Sequence, residues 1–182
     1  FGATLVAVLA AWAYSLPPIR LKRSGWWGPG LVGLSYETLP WFTGAAVLSM
    51  GAPTFHVVVI AILYGIGAHG IMTLNDFKAS EGDRATGVRS LPVVVGPAVA
   101  AKIACTVMAV PQMLVVALLL IWGRPFFAVG VLLLLGLQFA AMRVLLLDPK
   151  GKAPWYNATG VALYVSGMML VAVAIRTLEI GP

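Results

Sequence analysis

Half of the chain's six carboxylate side chains, Asp76, Glu81 and Asp83, fall within eight residues of one another, with Asn75 beside the first. They follow directly on an apolar run that ends at Leu74. Hard oxygen donors at this density suit Mg²⁺, which takes a few carboxylates and completes its shell with water and substrate phosphate oxygens. The same stretch also suits a solvated loop whose acids balance Lys78, Arg84 and Arg89. A basic group, YSLPPIRLKRSG, runs from Tyr14 to Gly25. There the Pro17-Pro18 pair ends a helix and presents Arg20, Lys22 and Arg23. Guanidinium forks and ammonium groups bind phosphate oxygens, and they equally anchor a loop at a membrane surface. Acidic and basic segments on one face would together form a metal-plus-cation cradle for a diphosphate.

Glu37 lies in SYETLPWFTG, inside an apolar segment. An ionisable group at that depth is costly, so it is expected to face the bundle interior with a partner or a substrate. Tyr36 and His69 occupy comparable positions, and His69 also suits a neutral imidazole hydrogen-bonded between helices. The surrounding GIGAHG satisfies a Gly-x-Gly-x-x-Gly pattern without the strand-turn-helix unit that dinucleotide binding needs, so close helix packing explains it better. The chain has no Gly-x-Ser-x-Gly elbow, His-Glu-x-x-His pair or Walker loop, which leaves hydrolase and nucleotide-hydrolysing readings without support. The single Cys105 permits neither an internal disulfide nor a thiolate metal site.

These groups sit on a chain that is 60% apolar and 10% charged, with a mean hydropathy of +0.96. A soluble domain carries about a quarter charged residues, so the solvent is a bilayer and the class is all-α, a polytopic membrane helix bundle. Long apolar runs broken by Pro, Gly and charge predict one partial and five full spans. These cover about Phe1 to Tyr14, Gly30 to Met50, Phe55 to Leu74, Val99 to Ile121, Pro125 to Leu147, and Ala158 to Thr177. Pro40 and Pro111 interrupt spans and are expected to kink them. The chain starts on Phe1 with an apolar run too short for a bilayer, so a single transmembrane domain that continues upstream is expected.

Alternating spans put residues 15–29, 75–98 and 148–157 on one face. Of the 12 Lys and Arg residues, only Arg124 and Arg176 lie toward the other. The positive-inside rule makes the first face cytoplasmic. A net charge of +6 would suggest nucleic acid in a soluble protein. Here topology and an anionic substrate account for it, and no nucleic-acid partner is expected.

The two charged segments resemble the UbiA superfamily of intramembrane prenyltransferases, whose members hold a prenyl diphosphate through Mg²⁺ on Asp-rich motifs. YSLPPIRLK is similar to that family's Tyr-Ser-x-Pro-Pro-x-Arg-x-Lys segment, and NDFKASEGDRATGVRSLPV is similar to its second Asp-rich motif. NDFK followed by EGDR, with GWWGPGLVGLSYETLPWFTGAAV, resembles the tetrapyrrole-esterifying branch. Ala79 departs from the wider family, where many members carry a further Asp. The resemblance implies that a prenyl diphosphate (geranylgeranyl or phytyl) and a bacteriochlorophyllide are joined as an ester in a bacterial inner membrane. It implies Asp76, Asp83 and Glu81 as metal ligands, with Asp76, Asp83, Arg20 and Lys22 as the catalytic set. Asn75, Lys78, Arg84, Arg89, Tyr14, Glu37, Tyr36 and His69 would bind substrate. It also implies an earlier Asp-rich motif upstream of Phe1 and, as partners, photosynthetic assembly proteins. Another acceptor, such as chlorophyllide, a quinone precursor or haem, stays open, as does a pigment-binding scaffold without catalysis.

Overall fold

A computed structural model gives the fold and describes residues 1–180. Its elements are α1 (Gly2–Ser15), α2 (Trp27–Gly33), α3 (Leu39–Ser49), α4 (Phe55–Thr86), α5 (Leu91–Val94), α6 (Pro97–Ile121), α7 (Pro125–Leu147) and α8 (Pro149–Ile180). A 3₁₀ turn, Leu21–Arg23, precedes α2, and a π-helical turn, Leu34–Thr38, joins α2 to α3. Among the described residues the only β pairing is an isolated bridge between Ser24 and Arg89. The all-α expectation holds.

Four helices, α4, α6, α7 and α8, are long and apolar enough to cross a membrane. The expected span from Gly30 to Met50 is helical as far as Ser49: α2, the π turn and α3, of 7, 5 and 11 residues, follow one another without a break, long enough together to cross hydrocarbon. Pro40 falls directly after the π turn, and a proline and a π turn are both recognised sources of a bend in a helix. The helix α6 runs on through the buried Pro111.

The larger correction concerns the charged segment. Asn75 to Thr86 is not a loop but three further turns of α4, which is 32 residues long. Nothing in that stretch breaks a helix until Gly87, whose φ of +71° makes the left-handed stop. Likewise residues 149–157 are already helical, with Pro149 at the first position of α8. Charged helix ends therefore stand beyond the apolar crossing segments.

The core forms where α4 packs against α6 and α8, and α7 completes the group. Tyr64, Met108, Leu135, Tyr156 and Tyr164 are fully buried in it. Small residues on α4 bring neighbours close. A Cβ on Gly67 would run into the Tyr164 ring, so GIGAHG serves packing, as expected. At one end of the bundle the 20–25 segment, the end of α4 and the start of α8 come together. The Gly25 N–H donates to the Arg89 carbonyl at 2.8 Å, the Arg89 N–H donates to the Arg23 carbonyl at 3.0 Å, and Lys150 pairs with Glu81 at 2.7 Å. At the other end His56 meets Trp122 edge-on, and the Arg124 guanidinium donates to the Thr177 carbonyl at 2.8 Å. This partition matches the alternation read from the charges.

Candidate active site

On α4, Asp76 and Asp83 are seven residues apart, which is two turns and therefore one face. Both are half-buried, and burial first, with the charge of Asp83 second, pushes the Asp76 carboxyl up to about 7. Neither carboxylate has a hydrogen-bond or ion-pair partner among the described residues. Two like charges held together without a protein cation favour a bound cation. Glu81, expected with them, is not brought to the pair. Five residues from Asp76 on a helix it projects from another side, and it is taken up by Lys150, with both side chains largely exposed.

No three side chains of the His, Cys, Asp or Glu kind gather among the described residues. A closed protein cage for a metal is thereby absent from this part of the molecule. Two carboxylates on one face fit a hard ion of the Mg²⁺ type, which keeps several positions for water and phosphate oxygens.

The Asp76 charge also acts on the Tyr14 hydroxyl at the end of α1, as does Tyr36. Tyr14, Tyr36 and Glu37 line one cavity of about 690 Å³, whose remaining wall is mostly apolar and comes from α1, α2 and α4. Met72, one turn before Asp76, belongs to that wall. Three residues expected at a substrate are thus brought together beside the acidic pair. Tyr36 is 74% exposed and Glu37 half-buried, without a hydrogen-bond partner among the described residues.

The π turn explains how a carboxylate comes to face the cavity. One extra residue in the turn rotates the side chains that follow, and such turns cluster at functional sites. It is fixed against α4 by the Thr38 hydroxyl, which donates to the Ala61 carbonyl at 3.0 Å, and by the contact of Gly33 with the Gly65 carbonyl. A side chain at either glycine would separate the helices.

Arg20 and Arg89 share a second cavity, about 410 Å³, with Arg23 of the same basic group as Arg20. Arg20 holds a left-handed backbone at φ +44°, a conformation that costs ~1 kcal/mol or more in a non-glycine residue and that often marks functional positions. Arg23 reaches the Gly87 carbonyl at 3.5 Å, next to the end of α4. The basic and acidic segments thus meet at one end, yet the arginines line their own hollow next to the acidic pair's helix. Lys22, Lys78 and Arg84 are exposed at the same end.

His69 goes elsewhere. Its Nε2 donates to the Trp26 carbonyl at 3.0 Å, its ring lies 4.7 Å from that of Trp26, and the Thr73 hydroxyl is 3.4 Å from Nδ1. It tethers α4 to the start of α2 and lies outside the wall of the larger cavity. Asn75 is held by Asn157 of α8 at 3.0 Å, a contact that nothing in the local sequence announces.

The description UbiA prenyltransferase family matches residues 1–174. The chain belongs to that family. Over its full 182 residues it is 70% identical to the bacteriochlorophyll synthase 33 kDa chain of Cereibacter sphaeroides, of which it covers 60%. It is 65% identical over 97% of its length to the Rhodobacter capsulatus protein of the same description, covering 59% of it. The chloroplastic chlorophyll synthase of Arabidopsis thaliana is 37% identical over 96% of the chain, which covers 45% of that protein. The chain therefore spans about 60% of the length of the bacterial UbiA relatives it matches. No solved structure matches it.

Proposed function

We propose that the full-length protein is a prenyltransferase that esterifies the propionate of bacteriochlorophyllide a with geranylgeranyl or phytyl diphosphate, releasing diphosphate. The observation that carries this reading is the unpartnered Asp76–Asp83 pair, whose first member lies one turn beyond an apolar cavity that also contains Tyr14, Tyr36 and Glu37. The similarity to bacteriochlorophyll synthases supports the choice of acceptor. The membrane is the bacterial inner one, with the Asp76 end on the cytoplasmic side, as the distribution of Lys and Arg favours.

In the reaction a propionate oxygen bonds to C1 of the prenyl chain while the bond from C1 to the diphosphate oxygen breaks, so charge accumulates on the leaving diphosphate. Asp76 and Asp83 would hold Mg²⁺, which when bound neutralises that charge. Arg20 and Lys22, with Arg23 and Arg89 beside them, donate hydrogen bonds to phosphate oxygens. Tyr14 orients the nearest phosphate oxygen from the cavity side. Glu37 and Tyr36 contact the tetrapyrrole edge, and the apolar wall excludes water that would otherwise capture the prenyl cation. Residues of the full-length protein outside this chain complete the metal shell.

The test supplies the full-length protein with bacteriochlorophyllide a, geranylgeranyl diphosphate and Mg²⁺, then separates products by chromatography. The ester is expected. Prenyl transfer to an aromatic acid, with no ester formed from the tetrapyrrole, would overturn the proposal.

A further inference from the structure

Asn157 lies two turns into α8, on the same face as Lys150 seven residues before it. Lys150 reaches Glu81 at 2.7 Å, and the Asn157 Nδ2 donates to the Asn75 Oδ1 at 3.0 Å. Between them Ala153 and Tyr156 are fully buried. The first turns of α8 therefore lie along the extension of α4 that carries Asp76 and Asp83 and hold it at two points. These two points differ in kind. The ion pair is exposed and screened by water, whereas the amide pair is sheltered, with the Asn157 Oδ1 buried and without a hydrogen-bond partner.

We propose that Asn157 is a positioning residue for the acidic pair and the diphosphate. By donating to Oδ1 it fixes which end of the Asn75 amide is free. The Asn75 Nδ2 keeps only a 3.8 Å contact to the Met72 sulfur, a weak acceptor, and so stays available as a donor beside Asp76. An amide with both ends unconstrained would rotate, and half of its orientations would turn an oxygen instead of a donor toward a phosphate. The cost of a buried carbonyl without a partner is retained at Asn157 and not relieved by an apolar residue. That retention is expected where the amide's orientation serves the neighbouring site. The inference rests on the reading of Asp76 and Asp83 as the diphosphate-binding pair.

The experiment uses full-length protein and compares Asn157→Ala, Asn157→Asp, Asn75→Ala, the Asn75→Ala/Asn157→Ala pair, Asp76→Asn and, as a control, Lys150→Ala. KM for the prenyl diphosphate is expected to rise about tenfold in Asn157→Ala, in line with losses on removing groups that orient ligands, while KM for the tetrapyrrole stays unchanged. Asn157→Asp preserves shape but cannot donate, so it should match or exceed that loss. Asn75→Ala and the double variant should be alike, because Asn157 acts only through Asn75, and Lys150→Ala should resemble the parent. Equal rises in both KM values, or additive losses in the double variant, would overturn the proposal, as would parental kinetics with only a lowered melting temperature. If Asp76→Asn keeps full activity, it is the reading of the acidic pair that falls. If Asp76→Asn is inactive while Asn157→Ala is normal, only the role of Asn157 falls.

Discussion

Asp83 stands two helical turns beyond Asp76 on one face of α4, and its charge acts on the Asp76 carboxylate, with no protein cation between them. The relationship is one a folded protein keeps only at a cost, because burial and a like charge both disfavour the ionised form of Asp76. Replacing either by Asn should therefore leave the fold intact or slightly steadier while removing a metal ligand. Ester formation by full-length Asp76→Asn or Asp83→Asn is expected to fall ~10²-fold or more, the scale seen when groups that offset developing charge are lost. Turnover assays beside melting curves in detergent check both halves of the statement.

Glu81 provides the contrast. It is close in sequence to the pair yet is directed to Lys150, and both partners are well exposed. Exposed ion pairs contribute little, since water already solvates each member. Glu81→Gln should form ester at the parental rate and melt at the parental temperature. A large loss of turnover would place Glu81 at the metal after all, with the ion pair broken when substrate binds.

The difference between these acids marks what the sequence could and could not reveal. The all-α membrane class was legible because hydrophobic runs near bilayer length recur whatever the tertiary detail. The alternation of ends was legible too, because Lys and Arg are costly in hydrocarbon and so concentrate in the segments beside it. The charged stretch from Asn75 suits a loop on sequence alone because its polarity resembles that of a connector. Only its helix-forming residues and the position of Gly87 marked three more turns. Once it is a helix, seven-residue spacing unites Asp76 with Asp83 and five-residue spacing separates Glu81, a distinction that a flexible loop does not make. The π turn at Leu34–Thr38 and the bond between Asn157 and Asn75 were not legible. Both depend on contacts between segments distant in sequence, and neither residue type carries a local signal for them.

Glu37 reaches its cavity through that π turn, and the turn is seated by the close passage of Gly33 over Gly65. Gly33→Ala would drive a methyl group into the Gly65 carbonyl and force α2 away from α4. Overpacking of this kind costs about 1–3 kcal/mol, so the melting temperature should drop. KM for the tetrapyrrole should rise with it, because the displaced turn carries Tyr36 and Glu37. Glu37→Gln keeps the shape and removes the charge. It should raise KM for the tetrapyrrole without lowering the melting temperature, and steady-state kinetics with each substrate varied in turn separate the two variants.

Within the core, the Gln112 Nε2 donates to the Gln138 Oε1 at 2.7 Å, and the Gln138 Nε2 donates to the Tyr156 hydroxyl oxygen at 3.0 Å. All three side chains are fully buried, and they join α6, α7 and α8. The chain is polar in surroundings that offer no water, so removing its middle member strands both neighbours. Gln138→Leu should destabilise the protein by about 1–3 kcal/mol, the cost of leaving buried polar atoms unpaired. Adding Gln112→Leu should recover part of that loss, because Gln112 already carries an unpartnered Oε1 and an apolar pair satisfies the site from both sides. Unfolding in detergent measured for the parent, both single variants and the double variant decides the matter. A double variant less stable than Gln138→Leu alone would mean that Gln112 is held chiefly by its bond to the Met108 carbonyl and not by the network.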